Sequence, residues 1–409
     1  MSSRMEDRPG EAVLVDHWLH LYEWLYGEFE RGGGLGADFV GWHSSYDGMP
    51  IPPEEMVDWR DATVERIRSL RPRNLLEIGV GTGLLLTRLA GGTERYVGTD
   101  FSEAALTRLA EQLAQAPGLS KTVSLRRQHA DDFRGLERHA FDTIVLNSVV
   151  QYFPSGDYLW RVVQGCVELL APGGAVFVGD VRNLRLHREF RAAVLADQIE
   201  GCADPRAAQR LVDQSVASEQ ELLVDPDFFL GVPDALPGVA AVDVRVKRAR
   251  YRNEMSAHRY DVVIFKGPSD AGPRPEEVTC LAWEDLNGIT DVARVLSGSI
   301  STGVRISGVP NARVWHESAA LRKLDELCPV GDVVRLLRTD RPAAPAPDPE
   351  EFCELGDRLG FDTVVTWSAT GAPDTVDVLY RRETAAAAPR SARPRSCQGA
   401  FTNTPLKMV

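Results

Sequence analysis

The chain has 409 residues, 44% of them hydrophobic and 26% charged, which is room for two or three domains at roughly 150 residues each with a sizeable core. Lysine and arginine total 46 against 59 aspartates and glutamates, a formal charge of −13, and this acidic balance argues against a nucleic-acid partner, which requires a basic stripe. No apolar run approaches ~18–20 residues and the start lacks the basic and apolar regions of a signal peptide, so neither a membrane nor secretion is expected. The six cysteines are scattered, without CxxC pairs or histidines at zinc-ligand spacing, which points to the reducing cytoplasm and to no metal.

Taken in chain order, residues 1–12 are expected to be disordered and 13–70 to form N-terminal helices with a lid. Within 13–29, Leu14, Trp18, Leu21, Trp24 and Leu25 recur at helical spacing until the glycines of RGGGLG end the helix. The stretch ADFVGWHSSYDGMPIPP has turn residues and aromatics without a period and reads as an ordered loop or lid. It would lay Tyr46 over a bound cofactor, with His43 serving the lid itself. From Pro53, Met56, Trp59, Thr63 and Ile67 share one face of a second helix, with acids early and arginines late, as the helix dipole prefers. Trp18, Trp24 and Trp59 are expected in the core.

Over 71–267 short apolar runs, NLLEIGV, RYVGTD, FDTIVLN and AVFVGD, alternate with helical segments. Strands this apolar, separated by helices, indicate a parallel sheet covered on both faces, a Rossmann-like doubly wound α/β domain. A polar, mostly helical insertion follows at about 183–235, and VDVRVKRARY and RYDVVIFKG add strands at one edge. GPSDAGPRPE is a linker. Residues 278–382 then read as a small C-terminal α/β subdomain without a glycine fingerprint, and 384–409 as a low-complexity, poorly ordered tail.

The chemistry concentrates in LLEIGVGTGLLL. Glu77 precedes a strand-to-helix turn built on Gly79, Gly81 and Gly83, where a ligand must approach closer than a Cβ permits. The next strand ends in Asp100, placed for ribose hydroxyls, with Phe101 beside it. HADDF, at the end of the third strand, offers Asp131 or Asp132 to an adenine amino group and Phe133 to the ring. A dinucleotide and S-adenosylmethionine share this geometry. The second is favoured because Leu84 stands where the dinucleotide fingerprint wants glycine or alanine, and because Glu77 suits a cationic amino-acid moiety and would repel a pyrophosphate. S-Adenosylhomocysteine would be the product, and a dehydrogenase is the weaker alternative. The fourth strand ends in Asn147 and Ser148. Ser148 lies with the cofactor, and Asn147 and Tyr152 can present oxygens to a cationic methyl group and an amine. Asp180, closing the fifth strand, is the expected carboxylate for the substrate ammonium and its proton. Asn253 and Glu254 could orient the amine. His129, His139, His187 and His258 have no spacing that marks a metal or a triad and read as structural or surface.

The strings GWHSSYDGMPIPPEEMVDWRDATVERI, LEIGVGTGLLL, LNSVVQYFPS, APGGAVFVGDVRN, RNEMSAHRYDVVIFKG and RISGVPNARV resemble the methyltransferase domains of nonribosomal peptide synthetases, many of which interrupt an adenylation domain. The resemblance covers about residues 13–382. It implies a class I methyltransferase fold and methylation of an aminoacyl group tethered through phosphopantetheine to a carrier protein. The acceptor would most often be the backbone nitrogen and sometimes a side-chain oxygen or sulfur, with a small amino acid or released peptide as the alternative substrate. No adenylation-domain sequence flanks the motifs, although TNTPLKMV resembles the residues where such a domain resumes. The expectation is therefore either a free-standing enzyme acting in trans or an excised piece of a synthetase. A reading of another class is a non-catalytic interaction module that keeps the fold, with 278–382 as a docking surface.

Overall fold

The computed structural model describes residues 8–28, 34–39, 41–267, 278–298, 303–338, 346–382 and 401–405. Its first sheet has seven strands: β1 Asn74–Ile78, β2 Arg95–Asp100, β3 Val123–Arg127, β4 Phe141–Asn147, β5 Leu170–Arg182, β6 Val239–Val246 and β7 Arg259–Lys266, in the order β3-β2-β1-β4-β5-β7-β6. β1 to β5 run parallel, and β7 is antiparallel to both β5 and β6. The apolar runs therefore form the parallel strands, as their two-sided hydrophobicity requires, and six of the seven β4 residues are buried. The two later runs join the edge, with the second of them inserted next to β5. The order in which strands are added across the sheet reverses between β1 and β4, so the ligand crevice of an open α/β sheet falls at their carboxyl ends.

Helices flank this sheet where the sequence supplies both a cap and an apolar face. Ser102 caps helix Glu103–Ala114 by accepting from the Ala105 N–H, and Ser155 caps helix Gly156–Leu169 by accepting from Tyr158. The first helix, α1 (Arg8–Glu28), starts inside the stretch expected to be disordered, so residues 8–12 are helical. The second, α2 (Pro53–Arg68), buries Met56, Trp59, Thr63 and Ile67 as their spacing requires. Trp18 is buried, but Trp24 is 55% exposed on the outer side of α1 and is not a core residue.

A second, four-stranded sheet consists of β8 Thr279–Ala282, β9 Gly303–Pro310, β10 Phe361–Trp367 and β11 Thr375–Arg382, in the order β10-β11-β9-β8. One hydrophobic cluster runs from Leu76 and Ile144 in the first sheet to Val304, Trp367 and Tyr380 in the second. The junction also has a polar clamp. Arg313, 1% exposed, donates to Asp348 and to the carbonyls of Lys247, Ala249 and Ser256.

The linker 268–277 and most of the expected tail lie outside the described residues. Residues 401–405 are described, and they dock: Thr402 pairs with Val224, and the Asp225 N–H donates to the Phe401 carbonyl at 2.8 Å. Among the described residues no helix is long and apolar enough to cross a membrane.

Candidate active site

The chain leaves β1 through a turn that only glycine tolerates. Gly79 and Gly81 have φ of 80° and 49°. A Cβ on Gly79 would stand 2.4 Å from Val149, and one on Gly81 would stand 3.3 Å from the Tyr26 hydroxyl. The Gly79 and Val80 N–H groups donate to the Thr99 carbonyl at 2.8 and 3.0 Å, tying the turn to the end of β2. Asp100 completes the tie, accepting from the Gly81 N–H and the Ser102 N–H at 2.9 Å each. Burial raises the Asp100 carboxyl above its usual range against these bonds. Behind the turn, Glu77 is buried and accepts from the Tyr96 hydroxyl. Burial pushes its carboxyl up to about 8, with Asp100 adding to the rise and the Tyr96 bond opposing it.

A cavity of about 590 Å³ opens at these strand ends. Of the residues singled out in the sequence, it brings together Glu77, Gly79, Gly81, Asp100, Phe101, Asn147, Ser148, Tyr152 and Glu254. Asn147, at the end of β4, donates through Nδ2 to Ser148 Oγ at 3.1 Å. Among the described residues its Oδ1 has no hydrogen-bond partner, nor has Oε1 of Gln151 on the same wall. Tyr152 packs against Trp18 and Tyr22 of α1, with ring centroids 4.8 and 5.1 Å apart, and burial pushes its hydroxyl up to about 12. Glu254 accepts from the Ser45 N–H at 2.7 Å and from Arg259 at 3.3 Å. Asn253 serves structure, capping the short helix Glu254–His258.

Six expected site residues lie elsewhere. Gly83 is a packing position, where a Cβ would meet Leu109 at 2.7 Å. Tyr46 is 41% exposed and packs toward Phe190; its lid neighbours Gly41, Trp42, His43 and Ser45 line the cavity instead. Asp132 turns outward to Arg134, and Phe133 fills the space that Gly165 leaves on helix Gly156–Leu169. Asp131 reaches the cavity only through Tyr158, whose hydroxyl donates to it at 2.9 Å. The third-strand contribution to the wall is Gln128, His129 and Ala130.

Asp180 is the largest correction. Its φ of 62° and a register shift between β5 and β7 break the strand alternation, leaving the carboxylate fully buried beneath the cavity. It accepts from Trp59 Nε1 at 3.1 Å, Ser148 Oγ at 2.9 Å and Arg259 at 2.6 Å, with Lys247 at 3.6 Å. Burial would raise it, but Arg259 and Lys247 hold it below the usual carboxylate range, and both of its oxygens are committed to these partners. Its ion-pair partners are Arg259 and Lys247; Arg182 pairs with Glu219 and Glu221.

The far wall of the cavity comes from residues without a sequence signal. The insertion supplies His187, Arg191, Glu219 and Glu221, and β7 and the short helix before it supply Arg259 and His258. Burial, with nearby arginines, pushes His187 down to about 4 against the pull of Glu219, and His258 down to about 3. Both are neutral imidazoles. Trp18, expected in the core, lines the opposite side together with Tyr22 and Tyr26, the three spaced four residues apart on α1. Five carboxylates, Glu77, Asp100, Glu219, Glu221 and Glu254, face this space with three arginines, Arg182, Arg191 and Arg259.

A methyltransferase domain family matches residues 76–176, from β1 into β5. Among solved structures, the DhpI–SAH complex is 16% identical, covers 63% of this chain and 98% of that one, and has a TM-score of 0.39. Over 347 residues the chain is 39% identical to the chondramide synthase cmdD of Chondromyces crocatus, and over 359 residues 38% identical to the probable non-canonical nonribosomal peptide synthetase CymA of Salinispora arenicola (strain CNS-205). The alignments cover 83% and 87% of this chain. The chain carries a methyltransferase domain of the nonribosomal peptide synthetase type. It spans only 9% and 4% of the length of those two relatives.

S-Adenosylmethionine is the cofactor of this methyltransferase domain. The residues present fit it: a glycine cradle beside an anchored carboxylate, an excess of acids for a ligand with two cationic centres, and acceptors on Asn147 and Gln151 that have no partner among the described residues.

Proposed function

We propose that the methyltransferase domain transfers a methyl group to the α-amine of an aminoacyl group held as a thioester on a carrier protein. When bound, S-adenosylmethionine supplies a methyl carbon activated by a sulfonium. The chain's own work is to bind, orient and exclude water, since alignment of two reacting atoms supplies several kcal/mol of the barrier. Asp100, its oxygens already aimed by two backbone N–H groups, accepts from the ribose hydroxyls. Phe101 flanks the adenine, and Glu77 meets the amino-acid end of the cofactor. Ser148 borders the cofactor and is steadied by Asp180. Asn147 and Tyr152 present oxygens around the methyl and the amine, and Glu254 borders the acceptor.

The observation that carries nitrogen over oxygen is the character of the far wall. A hydroxyl acceptor needs proton removal during reaction by a base whose pKa lies near the working pH. His187 and His258 sit there as weakly basic neutral rings, pushed down to about 4 and about 3. An α-amine has an unperturbed pKa of ~8, and a thioester lowers it further, so a neutral fraction exists without a base. The relatives named as synthases and synthetases support a carrier-bound substrate, as does the rim of the cavity at Ser218 and Gln220, exposed residues past which an extended arm can enter. The test is incubation with methyl-labelled cofactor and an aminoacyl-loaded carrier protein, followed by hydrolysis and mass spectrometry. Label on the α-nitrogen is expected; label on a side-chain oxygen or sulfur overturns the assignment.

A further inference from the structure

With Asp180 sealed beneath the cavity, the acceptor end needs another anion. The far wall and its floor present three carboxylates, Glu219, Glu221 and Glu254. Two are committed at both oxygens. Glu219 accepts from Arg182 through Oε2 and from the Gln220 and Glu221 N–H groups through Oε1. Glu254 accepts from Ser45 through Oε2 and from Arg259 through Oε1. Glu221 differs. Its Oε2 accepts from Arg182 at 2.6 Å, and its Oε1 is bonded to none of the described residues.

Its backbone runs beside the reacting end of the site. The next residue, Leu222, donates its N–H to the Gln151 carbonyl at 2.8 Å, within the turn that follows Asn147 and contains Tyr152. Val224 donates to the Arg182 carbonyl at 3.0 Å, fixing the same segment against the end of β5. Beyond burial, the charge of Glu221 is felt at the Tyr152 hydroxyl, whose ionisation it opposes.

What holds this segment comes from the other end of the chain. Asn403 donates through Nδ2 to the Glu221 carbonyl at 3.0 Å and accepts through Oδ1 from the Leu223 N–H at 2.8 Å. One amide side chain thus replaces a strand neighbour on both sides of Leu222. Thr402 pairs with Val224 and lies against Gly156, where a Cβ would meet its hydroxyl at 2.7 Å.

We propose that Glu221 is the carboxylate that accepts a hydrogen bond from the neutral amine of the methyl acceptor and pairs with the ammonium this amine becomes on methylation, and that Asn403 is the positioning residue that holds it at the site. The inference rests on the reading of the cavity as an amine-methylating site. It is testable without an acceptor, so its failure is distinct from failure of the methylation assay above. The probe is sinefungin, a cofactor analogue with a protonated amine in place of the sulfonium methyl; its reference is S-adenosylhomocysteine, which has neither. Calorimetry on the full chain should show Glu221→Gln weakening sinefungin about tenfold, the loss of one charge-assisted hydrogen bond, while S-adenosylhomocysteine stays within about twofold. Glu221→Asp, which withdraws the carboxylate by one methylene, should fall between. Asn403→Ala should lower the ratio of the two affinities in the same sense without loss of S-adenosylhomocysteine binding. An unchanged ratio in Glu221→Gln overturns the role of the carboxylate, and an unchanged ratio in Asn403→Ala overturns the positioning role.

Discussion

At the scale of single residues, the glycine loop and its acids behave as their local chemistry requires, because a tight turn and an adjacent carboxylate are short-range features. Glu77 adds a consequence that only burial creates. Its carboxyl is pushed up to about 8, so it is largely protonated at neutral pH, and the cationic end of the cofactor favours the ionised form. Binding should therefore release a proton, and affinity should rise as pH goes from 6 to 8 and level off above. Calorimetry at pH 7 in two buffers of different ionisation enthalpy reads the proton directly, and Glu77→Gln should flatten the pH profile. The same shift bears on stability. The ordinary value is 4.5, so between 4.5 and about 8 the unfolded chain ionises this group while the folded chain keeps it protonated. The Glu77 contribution to stability thus falls as pH rises through that window. Asp131, Asp132 and Phe133 show where residue-level reading stops. HADDF presents three plausible ligands in a row, and which of them faces the cavity depends on a helix about thirty residues further along the chain.

That dependence belongs to the scale of elements. Gly165 sits in helix Gly156–Leu169, where an ideal Cβ would lie 2.0 Å from the Phe133 ring, so the aromatic side chain docks into the helix face. Gly165→Val should overpack this contact and cost about 1–3 kcal/mol, measured as a lower denaturation midpoint at unchanged m-value. Because Gln128 to Ala130 immediately precede the displaced ring, cofactor affinity should weaken in the same variant. Periodicity identifies α1 and α2 well but not what their faces meet. Trp18 and Trp59 are buried as expected, yet both also border the cavity, and Trp24 on the same helix as Trp18 is exposed. A stripe of aromatics has the same spacing whether it closes a core or walls a ligand site. In the insertion the difficulty is greater. Glu219 and Glu221 lie on a short return segment whose placement comes from hydrogen bonds to Gln151, Arg182 and Asn403, none of them near in sequence.

At the scale of the whole molecule, the two sheets share one hydrophobic cluster and a buried guanidinium. Arg313 is 1% exposed, and its donors satisfy Asp348 and three backbone carbonyls. Arg313→Met removes the donor that Asp348 and three backbone carbonyls share, and removal of the buried charged member of such a network costs about 3–5 kcal/mol. Urea denaturation followed by tryptophan fluorescence and by circular dichroism should show one coincident transition for the wild type, since the shared core unfolds together, and a markedly lower midpoint for the variant. For the same reason, deleting 278–382 should expose part of the first sheet's core rather than remove only a docking surface.

The sequence by itself determined the parallel strands, the glycine turn, Asp100 and the class of cofactor, because each rests on contacts within a strand, a turn or one strand–loop–helix unit. Tertiary structure decided the far wall of the cavity. It turned Asp180 away from the cavity by breaking the alternation of β5, made neutral rings of His187 and His258 by burying them among arginines, and brought Glu221 to the site on a segment held by Asn403. These outcomes depend on desolvation and on hydrogen bonds between residues up to 182 positions apart, and neither period nor spacing encodes them.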